Sequence, residues 1–175
     1  MRTGFMRFRL RFSSLWIDPK NPENMWLGGD GGIASTVDRG DKWRYHNNIP
    51  LGQYYQIHAD NRLPFYHLTG GQQDNSTWTG PSSTRDAQGI ANGDWRLISG
   101  GDGFYALSDP DQPDVFLSES QSGRIVRTDL RTGAQKAVSP SPRAGLQTEA
   151  RYRFNRNTPI VASPHGKSTF YMPAM

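Results

Sequence analysis

The stretch LWIDPKNPENMWLGG, residues 15–29, contains a pattern that recurs along the chain and indicates the fold. It begins with a short apolar run ending in Asp-Pro, continues through a polar turn, and ends in a second apolar run. Proline fixes φ, and Asn or Asp side chains bond the local backbone, so a polar turn between two half-apolar runs predicts a β-hairpin. Residues 15–29 are therefore expected to form two antiparallel strands.

The same pattern occurs four times. An apolar run that ends in Asp or Ser appears as LWIDP (15–19), YQIHAD (55–60), YALSDP (105–110) and IVASP (160–164). The residues that mark its end are Asp18, Asp60, Asp109 and Ser163, separated by 42, 49 and 54 residues. Further short strands are expected at residues 33–37, 42–46, 94–99 and 123–129.

Several strands per unit, at a period of about 40 to 50 residues, are typical of propeller blades. We therefore predict an all-β protein made of β-propeller blades, each a four-stranded antiparallel sheet, with about three blades and part of a fourth. An irregular β-sandwich is the alternative, but the repeated strand-turn-strand pattern is more regular than a sandwich requires. The composition agrees, because 19 Gly and 12 Pro among 175 residues, with 34% apolar residues, favour turns over long core helices.

The net charge of +4 originates at the N-terminus. Residues 1–12 hold four arginines and no acid, so the remaining chain carries 16 basic and 16 acidic residues. We assign residues 1–13 to an Arg-rich tail and residues 14–175 to a partial propeller. Nucleic-acid binding needs a basic, base-reading face on a folded domain, so no nucleic-acid partner is predicted.

Targeting and metal signals are weak in this sequence. The tail lacks the apolar run of about 7 to 15 residues that a signal peptide needs, and no segment approaches the run of about 20 that spans a bilayer. The absence of cysteine excludes disulfides and thiolate zinc sites, and the four histidines show no metal-ligand spacing. We predict no metal, no other cofactor and no membrane span.

The octet TVDRGDKW, residues 36–43, has the residue types of a tight turn. Thr36 ends a predicted strand, and Asp38 can accept backbone N–H bonds across the turn. Gly40 can take a positive φ, and Trp43 can fold back as an apolar lid. The octet is predicted to be structural, and its Arg-Gly-Asp tripeptide is explained by the turn rather than by cell adhesion.

The pattern Thr36-x-Asp38-x-Gly40-x-x-Trp43 resembles the Asp-box, or BNR repeat, of sialidases, sortilin-like receptors and glycoside hydrolase family 74 xyloglucanases. Longer phrases are similar to bacterial proteins described as sortilin N-terminal domain or glycosyl hydrolase-like BNR-repeat proteins. These phrases are WIDPKNPENMWLGGDGGIASTVDRGDKW (16–43), TGGQQDNSTW (69–78), GGDGFYALSDP (100–110) and RFNRNTPIVASPH (153–165). The resemblance covers about residues 14–175. It implies a propeller, an extracellular or periplasmic location, and a protein or glycan partner.

Two departures from the family pattern indicate a fragment. One complete Asp-box is present, whereas the later units have the looser phrases QQDNSTW (72–78) and GRIVRTDLRTG (123–133). The chain also ends at YMPAM, where the family would continue into another Asp-box. The rest of a longer propeller is therefore an expected partner of these residues.

Three acids lie in glycine-rich settings after apolar strands, namely Asp30, Asp74 and Asp102. Acids at corresponding ends of several blades can converge on one mouth of a propeller, and inverting glycosidases need two carboxylates about 6.5 to 9.5 Å apart. The resemblance to family 74 enzymes makes Asp30 and Asp102 the catalytic pair if the protein is a hydrolase. The alternative is that Gly-Gly-Asp-Gly only forms a turn between strands. Those enzymes also place their two acids in different propeller domains, which this chain cannot both contain.

Two functions therefore remain open. The first is a binding or scaffolding propeller segment that recognises a protein or glycan, with Asp74 and Trp78 as the candidate ligand contacts. The second is a fragment of a glycosyl hydrolase-like enzyme that acts on polysaccharide through Asp30 and Asp102. The aromatic residues are consistent with both, since flat rings stack on sugars but more often fill the space between sheets.

Overall fold

The computed structural model describes residues 12–46, 49, 52–139, 152–166 and 169–174. The predicted Arg-rich tail lies almost entirely outside these residues. The chain divides into two compact units, unit 1 at residues 1–51 and unit 2 at residues 52–175.

Fourteen β-strands provide nearly all the regular structure of the described residues. Unit 1 contains β1 (Phe12–Ile17), β2 (Met25–Gly29), β3 (Gly32–Thr36) and β4 (Arg44–His46). Unit 2 contains β5 (Tyr54–Ala59), β6 (His67–Gln72), β7 (Thr77–Pro81), β8 (Arg96–Ser99), β9 (Ala106–Ser108), β10 (Val115–Glu119), β11 (Ile125–Asp129), β12 (Ala134–Ala137), β13 (Val161–Ala162) and β14 (Phe170–Tyr171). A 3-10 turn at Asn92–Asp94 is the one helical element within the described ranges.

The strands form three four-stranded antiparallel sheets and one hairpin. Each four-stranded sheet is a simple meander in chain order, β1 to β4, β5 to β8 and β9 to β12, while β13 pairs with β14 alone. The predicted all-β class and the predicted four-stranded antiparallel sheets are confirmed. The strand content is that of three blades and part of a fourth.

The four repeat markers close their hairpins in the same way. The side-chain oxygen of each marker accepts a hydrogen bond from the backbone N–H two residues later, the donors being Lys20, Arg62, Asp111 and His165. The backbone N–H of each marker donates to a carbonyl at or next to the start of the following strand, on Asn24, His67, Val115 and Thr169. A short side-chain acceptor at this place therefore sets the turn, and Ser163 performs the task as Asp does.

The core of unit 2 lies between its two four-stranded sheets. Ile98 of one sheet and Phe116 of the other are both 0% exposed. Polar side chains also join the sheets, because Ser118 Oγ donates to Ser99 Oγ at 2.8 Å and Thr128 Oγ1 donates to the Ile98 carbonyl at 3.2 Å. The interface is thus a mixture of apolar packing and satisfied hydroxyls.

The opposite face of the β9–β12 sheet packs on the C-terminal residues. Its buried apolar residues form a cluster with Ile160, against which Phe170 and Met172 also pack. The members on the sheet are Leu107, Leu117 and Ile125. This packing places the segment before β13, residues 152–160, beside the ends of β9 and β10.

Candidate ligand-binding site

The octet in unit 1 is a hydrogen-bonded turn between β3 and β4. Thr36 Oγ1 donates to Asp38 Oδ1 at 2.6 Å and accepts the N–H groups of Asp38 and Gly40 at 3.2 and 3.1 Å. Asp38 Oδ1 also accepts the N–H of Lys42 at 2.9 Å. The hydrogen bond from Thr36, followed by that from Lys42, lowers the pKa of Asp38. The acid therefore serves the turn as a charged acceptor.

Backbone conformation at the tip explains the Arg-Gly-Asp tripeptide. Arg39 has φ 56° and Gly40 has φ 95°, and the Arg39 N–H donates to the Glu23 carbonyl at 3.1 Å. The Trp43 indole lies against Gly40, so that a β-carbon there would be 3.4 Å from Nε1. These contacts are those of a closed structural turn.

The two predicted catalytic acids lie in different units. Asp30 is exposed in the turn between β2 and β3 of unit 1. Asp102 is buried in the loop between β8 and β9 of unit 2. Asp74 lies in the β6–β7 turn, which holds the same place in its sheet as the β2–β3 turn of Asp30 holds in unit 1.

Within unit 2, Asp102 is the centre of a polar cluster. Its Oδ1 accepts the backbone N–H of Asp74 at 2.9 Å, and its Oδ2 accepts Arg156 Nη2 at 2.7 Å and the side-chain amide of Gln121. We call these four residues the Asp102 cluster. One carboxylate thereby ties together the β6–β7 turn, the β8–β9 loop, the β10–β11 turn and the 152–160 segment.

Two glycines allow the backbones below this cluster to meet. A methyl group on Gly71 would overlap backbone atoms of Gly103 and Phe104, and one on Gly103 would overlap Thr77 Oγ1. The contact is fastened by a hydrogen bond from the Gly103 N–H to the Gln72 carbonyl at 3.0 Å. Gly103, the last glycine of the Gly-Gly-Asp-Gly phrase, is thus used for close backbone approach to Gly71.

The charge state of Asp102 follows from its partners. Burial is the largest single influence and raises its pKa, but the hydrogen bonds from Arg156, the Asp74 backbone and Gln121 together outweigh it and lower the pKa to about 2. A general acid for chemistry near neutrality needs a pKa near the working pH. Asp102 is instead ionised, and both of its carboxylate oxygens accept hydrogen bonds from protein groups.

Exposed polar groups and an aromatic pair surround this anchor. The Arg156 side chain is 62% exposed, and its guanidinium carbon lies 5.7 Å from the centre of the Phe104 ring. The Tyr55 ring packs on Phe104 at 4.7 Å between centroids, and its hydroxyl donates to Gln73 Oε1 at 2.8 Å. Arg156 is therefore held by both an ion pair and a ring while it faces solvent.

The β6–β7 turn presents the remaining predicted residues. Asp74 is exposed and has φ 57°, and Ser76 has φ 72°. Trp78 is half-buried, and its Nε1 donates to the Asn75 carbonyl at 2.7 Å. The indole N–H of Trp78 is thus used within the turn, whereas Asp74 lies at the surface beside Arg156.

Arg156 and Gln121 were not predicted as site residues. Arg156 lies in the phrase RFNRNTPIVASPH, which carries part of the family resemblance but indicates no role for any one residue. Gln121 has no sequence signal at all. Both reach Asp102 from distant positions in the chain, 54 and 19 residues away.

A separate cavity of about 560 Å³ lies between the β9–β12 sheet and the β13–β14 hairpin. Its walls are mainly apolar, with Asp109 and Arg127 as the charged residues, and none of the predicted site residues lines it. Among the described residues, no group of three or more His, Asp or Glu side chains is arranged to hold a metal ion.

A scan against protein-family models and a search of curated proteins give no match for this chain. Within the described ranges, no helix has the length and apolar character needed to cross a membrane.

Proposed function

We propose that this chain is a segment of an Asp-box (BNR-repeat) β-propeller, similar to sortilin-like proteins of the cell exterior, and that it binds a protein or glycan partner. The family assignment is supported by the octet turn at residues 36–43 and by the four marker turns that repeat along three sheets and a hairpin. The binding surface is the Asp102 cluster with the exposed edge of the β6–β7 turn.

One observation carries the proposal. Asp102 is buried, ionised and fully engaged, and it holds the exposed guanidinium of Arg156 beside the exposed carboxyl group of Asp74. A preorganised array of opposite charges on rigid turns is suited to recognition, because little conformational entropy is lost when a partner binds.

The chemistry of the surface favours a ligand rich in hydroxyl groups. Hydroxyls both donate and accept, so they can pair with the guanidinium of Arg156 and the carboxyl group of Asp74 at once. The amide side chains of Gln73 and Asn75 lie on the same turn. A glycan is therefore the first ligand to test, and a polar protein segment is the second.

The hydrolase alternative receives less support from the geometry. An acid–base pair needs one carboxyl group that is protonated near neutral pH and free to reach a glycosidic oxygen. Asp102 has a pKa of about 2 and three hydrogen-bond donors around it. Asp74 retains an exposed carboxyl group, but its predicted role is in binding.

Binding to a panel of immobilised neutral and acidic polysaccharides tests the proposal. Arg156→Ala should weaken binding at least 10-fold, because it removes the exposed cation and releases Asp102. Arg153→Ala is the control, since Arg153 is an exposed arginine of the same segment without a place in the cluster, and its binding should equal that of the unmodified chain. Equal binding by both variants would contradict the proposal, and release of reducing sugar abolished by Asp102→Asn would favour the hydrolase.

A further inference from the structure

Glu119, at the end of β10, is a buried acid that forms no salt bridge within the part of the chain that the structure describes. It is 0% exposed, and its Oε1 accepts the Gly123 N–H at 3.1 Å. Its Oε2 is buried and has no hydrogen-bond partner among the described residues, where Glu119 also forms no salt bridge. A charge in this position would be strongly unfavourable, so the environment selects the neutral carboxylic acid.

The 152–160 segment covers this carboxyl group. The Thr158 backbone N–H faces it, and Phe154 packs on Gly123. Asn157, the residue before Thr158, has a buried Oδ1 that also lacks a hydrogen-bond partner within the described ranges. Ionisation of Glu119 would therefore place a charged oxygen in a buried site without a salt-bridge partner among the described residues, whereas the protonated acid carries no charge there.

The charged groups nearby do not offset the burial. Burial raises the pKa of Glu119 to about 7, while the N–H groups of Gly123 and Thr158 and the charge of Arg124 act in the opposite direction. Asp102 and Arg156 neutralise each other at 2.7 Å. The carbonyl of Tyr105, immediately before β9, accepts the Glu119 N–H.

The carboxyl group is connected to the proposed binding surface through the β10–β11 turn. Glu119 holds Gly123 of this turn, and the neighbouring Ser122 N–H donates to the Arg156 carbonyl at 3.0 Å. Gln121 of the same turn donates to Asp102. If the 152–160 segment moves away so that water reaches an ionised Glu119, Arg156 loses two hydrogen bonds. One joins its carbonyl to Ser122, and the other joins its guanidinium to Asp102.

We propose that Glu119 is a positioning residue that acts as a neutral acid, and that loss of its proton releases the 152–160 segment and withdraws Arg156 from Asp102. The surface is therefore assembled at mildly acidic pH and loosens as the pH rises past neutrality. The consequence for a ligand rests on the proposed function, but the assembly of the cluster does not.

The effect on stability has a definite sign. The pKa of Glu119 is raised in the folded chain from an ordinary value of 4.5 to about 7. Its contribution to stability is therefore complete below about pH 4.5 and is lost as the pH rises through about 7. Glu119→Gln, which stays neutral and keeps a donor, should lack this contribution to the pH dependence of stability.

Nuclear magnetic resonance of the full chain tests the proposal without a ligand. The sequence contains three glutamates, Glu23, Glu119 and Glu149, so selective side-chain carbon labelling gives three signals, and Glu119→Gln identifies one by its loss. That signal should titrate near pH 7. The Arg156 Nε–H signal should change with the same midpoint in the unmodified chain and remain constant across the window in Glu119→Gln.

Two results would overturn the proposal. One is a Glu119 signal that titrates near pH 4.5, the ordinary value for glutamate, which needs only the unmodified chain. The other is an Arg156 signal that changes identically in the Glu119→Gln variant. Failure to bind any polysaccharide would count against the proposed function alone, since neither readout contains a ligand.

Discussion

The two ends of β9 carry buried aspartates that are used in different ways. Asp109, after the strand, accepts the N–H groups of Asp111 and Gln112, two and three residues away. Asp102, before the strand, binds groups that are 28, 19 and 54 residues away. The same side chain, buried to a similar extent, can therefore close a local turn or hold several segments of the fold together.

The difference has an energetic and a functional side. A side-chain acceptor such as Asp109 replaces water as the partner of nearby backbone N–H groups. It contributes about 1 kcal/mol to the free energy of unfolding, as helix caps do. An acid that ties several turns acts on groups that are ordered only in the folded state. The contacts of Asp109 thus stabilise one turn, whereas those of Asp102 stabilise the fold and also fix the shape of the proposed binding surface.

The largest effect should come from the close backbone approach at the Asp102 end. Gly71→Ala places a methyl group on the backbone of Gly103 and Phe104, which cannot move aside as a flexible side chain could. We expect the free energy of unfolding in urea to fall by about 3 kcal/mol. Gly100→Ala is the control, since nothing lies within 4 Å of its added carbon, and its effect should stay within about 0.5 kcal/mol. Similar losses of unfolding free energy for both variants would show that the close backbone approach at Gly71 is not important for stability.

A smaller effect is expected for Asp102→Asn. The new amide turns a donor toward Arg156 or Gln121 and removes the ion pair, although the exposure of Arg156 reduces its contribution. We expect a loss of about 2 kcal/mol in urea unfolding. Asp111→Asn, an exposed acid at the marker end, should change stability by no more than about 0.5 kcal/mol. If the two substitutions lower the free energy of unfolding equally, the contacts of Asp102 do not stabilise the fold more than an exposed acid does.

The smallest effect is expected for Asp109, the repeat marker that follows β9. Asp109→Ala removes the acceptor for Asp111 and Gln112, with an expected cost of about 1 kcal/mol. Asp109→Ser should retain most of that stability, because Ser163 performs the same task in the last hairpin. Thermal unfolding of the two variants side by side measures the difference, and a Ser variant as unstable as the Ala variant would show that the charge of Asp109 matters.

The all-β class, the four-stranded antiparallel sheets and the position of each marker turn could be predicted from the amino-acid sequence. The reason is that these features depend on neighbours in the chain. Alternating apolar residues define strands, and a short polar side chain after a strand bonds the next N–H groups, as Asp60 does with Arg62. Such contacts leave a pattern of fixed spacing that repeats along the chain.

Which acids form hydrogen bonds or ion pairs with residues distant in the chain depends on the tertiary structure. The phrases around Asp30 and Asp102 are nearly the same, yet one acid is exposed in a turn and the other is buried beneath Arg156. Nothing in the local sequence of Gln121, Glu119 or Arg156 predicts their association. Their contacts depend on packing between sheets and on the path of the 152–160 segment, and long-range contacts of this kind have no fixed spacing in sequence.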